Sequence, residues 1–355
     1  MKERIFITGG AGYIGAMLSE RFADREDVEE IIALDMTPMP SLLKGKKKIS
    51  YIQGNTSDSG WVEAVAAKNP TIVIHTAWQI RELYGKKKLQ WKWNVLGSQN
   101  VFNFAFSTPS VRKLIHFSTV ASYGAYPENT LEHRFVEEEG FRKTDYLYAE
   151  EKRIVEENLS QLYQEKKSDN TLPQVFIVRP VAITGPRGRF MRIRFGLQSA
   201  LSGQLKENFL HRIVSAMVSF VPITAKWCRQ FIHEDDVNDI IELLAFKPLA
   251  GRYEIFNIAP PGDIVRGRDM AEAVGKEPIS VHPCLIRLAF FLARHLSLGA
   301  IPTSAGGWKS YSYPIVVDGS KLTTLYGYNY IYQSKRAFGK TEGRYEPYLK
   351  ESEKK

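Results

Sequence analysis

Two short runs in this sequence carry groups able to move a proton. Tyr148-Ala149-Glu150-Glu151-Lys152 sets a phenol and an ammonium four residues apart, which puts both on one face of a helix. A neighbouring ammonium favours phenolate and draws a tyrosine pKa from about 10 toward working pH. A tyrosine tuned in this way can take the proton of a secondary carbinol as a hydride leaves the same carbon. Slightly earlier, Ser118-Thr119-Val120-Ala121-Ser122-Tyr123-Gly124 closes an apolar run with hydroxyls. The Tyr-x-x-x-Lys spacing recurs at Tyr84/Lys88 and Tyr163/Lys167. Tyr84 is followed by Gly85 and a lysine run, which reads as loop, and Tyr163 falls at the far end of a helical pattern with no hydroxyl-bearing strand end close before it. Tyr148 opens a helix soon after such a strand end, so it is the candidate acid/base.

A departing hydride needs an acceptor, and the start of the chain points to one. Thr8-Gly9-Gly10-Ala11-Gly12-Tyr13-Ile14-Gly15 follows the apolar run Ile5-Phe6-Ile7 and precedes a helical pattern through Met17, Leu18 and Phe22. Strand, glycine turn and helix start together suit a dinucleotide. The glycines let the pyrophosphate approach the backbone, and the helix N-terminus offers it free N–H groups and partial positive charge. An acid is expected about 20 residues further on, and Asp35 ends the apolar run Ile31-Ile32-Ala33-Leu34. Its carboxylate would hold ribose hydroxyls and repel a 2′-phosphate, so the cofactor is read as NAD rather than NADP.

These groups need a scaffold that brings them to one edge. Strand candidates are Arg4–Thr8, Glu30–Asp35, Ile49–Gln53, Thr71–Thr76, Lys113–Ser118 and Gln174–Arg179, and helical patterns fall between them at Gly12–Ala23, Ser59–Lys68, Trp91–Ser107 and Tyr148–Gln164. Such alternation predicts an α/β fold, a parallel sheet with helices on both faces. Ligands then lie beyond the carboxyl ends of the strands. After the third strand comes Gly54-Asn55-Thr56-Ser57-Asp58, where Asp58 is either a partner for the adenine amine or a helix N-cap. After the fourth comes His75-Thr76-Ala77-Trp78, with small residues where a cofactor could pass and a histidine read as a satisfied core residue. Asn94 is a polar amide among apolar neighbours and needs partners if buried.

Composition narrows the partners. The chain has 355 residues, a net charge of +9 and a pI near 9.3. The runs Lys46-Lys47-Lys48 and Lys86-Lys87-Lys88 read as solvated loops without the aromatic interleaving of a nucleic-acid surface, so no nucleic acid is expected. Cys228 and Cys284 provide neither a disulfide framework nor metal-ligand spacing, so no metal is expected and a cytoplasmic setting fits. The early cofactor strand reads against a signal peptide. No apolar run reaches the ~18 residues of a spanning helix. Residues 284–296 are helical in character, with Arg287 and Arg294 seven apart on one face. They read as a lobe helix packed on the core, with a lid or a peripheral membrane helix as the alternatives.

Taken together the motifs resemble those of the extended short-chain dehydrogenases/reductases, often called NAD-dependent epimerases/dehydratases. The segments already quoted match, as do Arg179-Pro180-Val181-Ala182-Ile183-Thr184-Gly185-Pro186, Phe231-Ile232-His233-Glu234-Asp235-Asp236-Val237, Phe256-Asn257-Ile258-Ala259 and Asp318-Gly319-Ser320-Lys321-Leu322. The resemblance implies a Rossmann-type doubly wound sheet over 1–180, to which 231–258 return, and a smaller substrate-binding lobe within 181–330. The polar remainder, 331–355, is read as a disordered tail. The resemblance implies Tyr148 as acid/base, Lys152 on the ribose and tuning Tyr148, and Thr119 bonded to the substrate oxygen. Gly9, Gly12, Tyr13, Ile14, Gly15, Asp35, Asp58 (at the adenine), Thr76, Ala77, Asn94, Pro180 and Val181 fall to the cofactor. Ser118, Arg187 and Arg229 are candidates toward the substrate, and pairing through helices like Trp91–Ser107 and Tyr148–Gln164 implies a homodimer.

Three activities compete. A nucleotide-sugar epimerase would pass a hydride to NAD and take it back, with arginines after Gly185 (Arg187, Arg189, Arg192, Arg194) or Arg229 on the diphosphate. A net dehydrogenase would act on an apolar secondary alcohol, in the manner of a 3β-hydroxysteroid dehydrogenase. A non-catalytic NAD-binding regulator is the third, and the intact Tyr148/Lys152 pair argues against it. Nucleotide-sugar members commonly carry Gly-x-Gly and an arginine before the segment matched by Phe231–Val237; here Arg229 is present and the glycines are not. Val120 and Ala121 stand where a 4,6-dehydratase carries an acid pair, which reads against dehydration. The epimerase reading leads by the commoner chemistry of the group.

Overall fold

A computed structural model describes residues 2–168, 171–188, 220–273, 277–299, 301 and 303–348. Its strands are β1 (Glu3–Thr8), β2 (Val28–Asp35), β3 (Ile49–Gln53), β4 (Ile72–His75), β5 (Lys113–Phe117), β6 (Gln174–Pro180), β7 (Ala182–Thr184), β8 (Phe220–Ile223), β9 (Cys228–Arg229), β10 (Phe231–His233), β11 (Tyr253–Ile258), β12 (Val265–Arg266) and β13 (Glu277–Ser280). The helices used below are α1 (Tyr13–Ala23), α2 (Val62–Ala66), α3 (Lys87–Trp91), α4 (Gly97–Ser107), α5 (Leu147–Lys166), α6 (Glu234–Phe246), α7 (Gly267–Ala273), α8 (Pro283–Leu296), α9 (Ser320–Tyr326) and α10 (Ser334–Gly339).

Seven strands form one sheet in the order β11-β6-β5-β4-β1-β2-β3, and every neighbouring pair in it is parallel. Alternation along β1 explains the layering. Ile5 and Ile7 pack on one side with Leu18 and Phe22 of α1 and Ile240 and Leu244 of α6. Phe6, between them, points to the other side with Phe102 of α4 and Val155 and Leu159 of α5. Buried on both faces, these strands read as continuous apolar runs rather than as alternating ones.

The chain reverses direction of winding at β1, which has β2 on one side and β4 on the other. That crevice, beyond the carboxyl ends of β1 and β4, is where such sheets take ligands. Predicted strands and helices match observed ones to within a few residues. The predicted helix Trp91–Ser107 begins one turn earlier, as α3, then continues through a wide turn over Lys92–Leu96 into α4. Lys87 and Lys88, read as loop, therefore open a helix.

Short pieces make up the second half. Pairs β7·β10 and β8·β13 are parallel and β9·β12 is antiparallel. Residues Phe231–Ile258 run back to the sheet, placing α6 on its face and β11 at its edge. The reading of 331–355 as a disordered tail is corrected over 331–348. There Ala337 and Phe338 of α10 are buried with Phe231, and the ring of Tyr345 is wholly buried with its hydroxyl donating to the Met17 carbonyl at 2.9 Å. Aromatic residues spaced through a charged stretch supply the burial that its average composition conceals. Residues 349–355, and with them the end of that reading, lie outside the described residues.

Candidate active site

The glycine turn is built as a cradle. Gly9 has φ +72°, and a Cβ there would lie 2.7 Å from Thr76 Oγ1 and 2.8 Å from the Ala77 nitrogen. A Cβ on Gly15 would lie 2.1 Å from the Gly9 carbonyl oxygen. Glycine is thus required where β1, α1 and the end of β4 converge. Gly12 caps α1 without a side chain, and Tyr13 and Ile14 open the helix, so the first-turn N–H groups are left for a ligand. Asp35 stands beside them, its Oδ2 accepting from the Ala11 amide at 3.1 Å and its Oδ1 from the Thr37 amide at 2.9 Å. A bare helix N-terminus, a turn that excludes side chains and a held carboxylate at the end of β2 fit a dinucleotide with a free ribose 2′-hydroxyl.

The other residues assigned to the cofactor divide. Thr76 and Ala77 lie in the crevice, tied to β1 by Thr76 Oγ1 donating to the Thr8 carbonyl at 2.7 Å and the Ala77 amide donating to Thr8 Oγ1 at 3.3 Å. Pro180 ends β6 and Val181 follows it, with the Val181 amide on the Ile258 carbonyl at 3.4 Å. Asp58 is exposed and pairs with Lys92 at 3.2 Å; the N-cap of α2 is Trp61, so the capping alternative for Asp58 does not apply. Asn94 is buried and spent on protein. Its Oδ1 accepts from the Gln79 amide at 2.8 Å, and its Nδ2 donates to Gln79 O at 3.0 Å and Glu151 Oε2 at 2.7 Å. It ties the loop after β4 to α5. His75 is a core residue, held by Thr8 Oγ1 at 2.7 Å and Ser98 Oγ at 2.8 Å, and burial lowers its pKa to about 3.

Beyond β5 the proton-moving groups meet. Thr119 caps the turn Val120–Tyr123 by accepting from the Ala121 amide at 3.2 Å, and its side chain also bonds Tyr148 at the start of α5. Burial raises the Tyr148 phenol above its ordinary value, and the bond to Thr119 pulls it back. Lys152, one turn on, is buried; its ammonium donates to the Phe117 carbonyl and lies 3.7 Å from the centroid of the Trp78 ring. Burial lowers its pKa to about 7, with Glu156 opposing the shift. The Lys152 ammonium is thus turned to the Phe117 carbonyl and the Trp78 face. Ser118 is buried with a hydroxyl that has no hydrogen-bond partner among the described residues. Tyr163, by contrast, packs 4.7 Å from Tyr253 in the core, and Tyr84 sits against His295.

An aromatic wall surrounds Tyr148. Trp78 meets it edge-on at 6.5 Å and Tyr146 lies at 5.7 Å. Burial raises the Tyr146 phenol, as do nearby Tyr148, Tyr311 and Glu82, while the positive charge of Arg229 acts against them. Arg229 lies 5.9 Å from the Trp227 ring centroid and 5.5 Å from that of Tyr311, and no described carboxylate pairs with it. A Cβ on Gly306 would lie 2.4 Å from the Tyr146 nitrogen, so the segment bearing Tyr311 presses on the start of α5. The Glu82 side chain is buried and pairs with Arg294 of α8 at 2.6 Å. Arg187 goes elsewhere than expected: its guanidinium donates to the Tyr13 carbonyl at 3.2 Å, beside the glycine turn rather than beside Tyr148. Arg189, Arg192 and Arg194 lie outside the described residues. Sequence reasoning missed Tyr146, Glu82 and Tyr311. Tyr146 had a signal, standing two residues before Tyr148; Tyr311 arrives from more than 150 residues away and had none.

Known proteins carry the same design. Residues 5–259 match the model of the NAD dependent epimerase/dehydratase family, and the chain belongs to that family. Among solved structures, the UDP-Glc/GlcNAc 4-epimerase of Campylobacter jejuni aligns with TM-score 0.66 and 19% identity, over 98% of this chain and 100% of its own. The UDP-glucose 4-epimerase of Thermus thermophilus, in complex with NAD, aligns with TM-score 0.65 and 21% identity over 95% and 97%. At such identities the likeness is one of fold. A "3 beta-hydroxysteroid dehydrogenase/Delta 5-->4-isomerase" of Vaccinia virus (strain Ankara) is 26% identical over 197 residues, 53% of this chain and 54% of the viral protein. The chain thus spans about half the length of that relative.

Proposed function

We propose that the protein is an NAD-dependent oxidoreductase of the nucleotide-sugar epimerase type. The observation that carries this reading is the meeting of Thr119, Tyr148 and Lys152 beyond β5, with Arg229 directed to the same aromatic wall without a carboxylate partner among the described residues. Bound NAD supplies an acceptor for the carbinol hydride and a donor for its return. The carbinol proton passes to the Tyr148 phenolate oxygen, and the Thr119 hydroxyl holds the substrate oxygen during the transfer. Lys152, its pKa lowered to about 7 by burial, is held charged when ribose oxygens and a phenolate face it. Ser118 offers the substrate an unspent hydroxyl. Arg229 answers a diphosphate, which guanidinium groups bind bidentately.

The test is a melting-temperature titration of NAD-loaded protein with UDP and dTDP. Binding raises the melting temperature by linkage, and Arg229→Met weakens it by roughly 1.5–3 kcal/mol for each charged hydrogen bond lost. A flat response to nucleotides, with a response to sterols or long-chain alcohols, overturns this reading in favour of a dehydrogenase of an apolar secondary alcohol. The viral relative and the rings of Trp78, Tyr146 and Tyr311 support that second reading. A homodimer through Trp91–Ser107 and Tyr148–Gln164 accords with Trp91 and Leu96 exposed along the first of them. Cys228 and Cys284 are both free thiols, which accords with work in the cytoplasm.

A further inference from the structure

Helix α8 is divided along its length. Ile286 and Phe290 are buried, and Phe290 packs 5.2 Å from Tyr311, the residue that closes on Arg229 and Tyr146. The outer side is apolar as well: Leu285, Leu288, Phe291, Leu292 and Leu296, continued by Leu298, are between 43% and 80% exposed. Single exposed leucines need no explanation, but six large apolar side chains within 14 positions form a patch that does.

Charge says what meets it. From Pro278 to Val317 the chain contains no aspartate or glutamate. The loop leading into α3 lies on the C-terminal end of α8, with Tyr84 against His295 at 6.1 Å and a Cβ on Gly299 falling 2.3 Å from Tyr84 Cβ. That loop leads directly to Lys86, Lys87 and Lys88, all exposed. Glu82, the acid beside them in sequence, has a buried side chain already paired with Arg294. A second copy meeting this face by a two-fold axis would bring the same lysines, and among the described residues neither α8 nor the loop into α3 offers a free carboxylate to answer them. A bilayer carrying anionic lipid answers both parts of the surface. The helix spans about 21 Å, too short to cross a bilayer, so it lies in the interface plane with its leucines among acyl chains and the lysines at headgroup level.

We propose that the outer face of α8, with Lys86, Lys87 and Lys88 at its end, docks the protein on an anionic membrane surface. The experiment is co-sedimentation of the full chain with vesicles of phosphatidylcholine alone and of phosphatidylcholine mixed with phosphatidylserine. Binding to the anionic vesicles is expected, weaker binding to neutral ones, and release as salt is raised. Leu288→Glu with Leu292→Glu should reduce the bound fraction about tenfold or more, and Lys86→Gln with Lys87→Gln and Lys88→Gln should remove the preference for anionic lipid. NAD titrations should be unchanged in both variants, which shows that they are folded. Absence of wild-type binding to anionic vesicles overturns the proposal, as does equal binding by the leucine variant. Light scattering that shows the leucine changes splitting an oligomer, with no vesicle binding by the wild type, assigns the face to a second copy and also overturns it.

Discussion

Arg179 and Glu156 give the sharpest energetic test of how the site is held. Arg179 is the penultimate residue of β6, next to Pro180, and Glu156 stands on α5, one turn past Lys152. Both side chains are about 5% exposed. Arg179 Nε lies 3.1 Å from Glu156 Oε1, its Nη1 donates to the Tyr123 hydroxyl and to the Glu137 carbonyl at 3.2 Å, and its guanidinium sits 4.1 Å from the Phe141 ring centroid. Arg179→Met keeps much of the volume and strands a buried carboxylate. Removing one partner of such a pair costs about 3–5 kcal/mol, whereas replacing both with apolar groups is near neutral. Unfolding entropy of about 2.1 cal/mol/K per residue, over the 355 residues, gives about 0.75 kcal/mol/K, so the melting temperature should fall by about 4–7 °C. The double change Arg179→Met with Glu156→Leu should recover most of that loss. Calorimetric scans of the four proteins measure it. If the double change loses as much as the two single changes summed, the cost does not come from an unpaired buried charge and the reasoning fails.

Four further outcomes follow from the same geometry. NAD should bind at least about tenfold more tightly than NADP, about 1.4 kcal/mol, because Asp35 faces the 2′ position; equal affinities by calorimetry would remove Asp35 from the ribose. Tyr148→Phe should reduce turnover about a hundredfold or more with NAD still bound, while Tyr84→Phe and Tyr163→Phe change little. Arg187→Met should weaken NAD and leave UDP binding intact, since Arg187 sits on Tyr13; a loss confined to UDP would return it to the substrate. Lys152 has a folded pKa of about 7, lowered from its ordinary 10.5, so its contribution to stability is complete above 10.5 and is lost as pH falls to 7. Lys152→Met should therefore exceed the wild type in melting temperature by more at pH 6 than at pH 9 without NAD, and a gap independent of pH would show that the ammonium is not desolvated.

Most of the sheet was legible because its inner strands are buried on both faces. Ile5-Phe6-Ile7 and Ile31-Ile32-Ala33-Leu34 are continuous apolar runs, and the turns between them carry glycine or polar residues. That Thr119 and Tyr148 come together was legible too, because a parallel sheet puts whatever follows a strand at one edge. The aromatic wall was not. It joins Trp78, Tyr146, Arg229 and Tyr311 from four separate stretches, and short pairs such as β9·β12 leave no periodicity to read. Arg187 was read toward the substrate because the resemblance puts the lobe after Pro186, and its guanidinium donates to a carbonyl at the glycine turn. The last residues misled through their average polarity, since Phe338 and Tyr345 are few but decisive. The direction of the Lys152 ammonium depends on a carbonyl and a ring from two other segments, which no local spacing encodes.

The Glu82–Arg294 bridge has a consequence for how the two ends of the site communicate. One end of its loop begins at Thr76 and Ala77, against the glycine turn, and the other end is fastened to α8. Because the Glu82 carboxylate is buried, parting it from Arg294 would leave it without compensation, which couples the loop to the helix. An occupant that tilts α8 should therefore alter NAD affinity, and by reciprocity NAD should alter the grip on that occupant by the same factor.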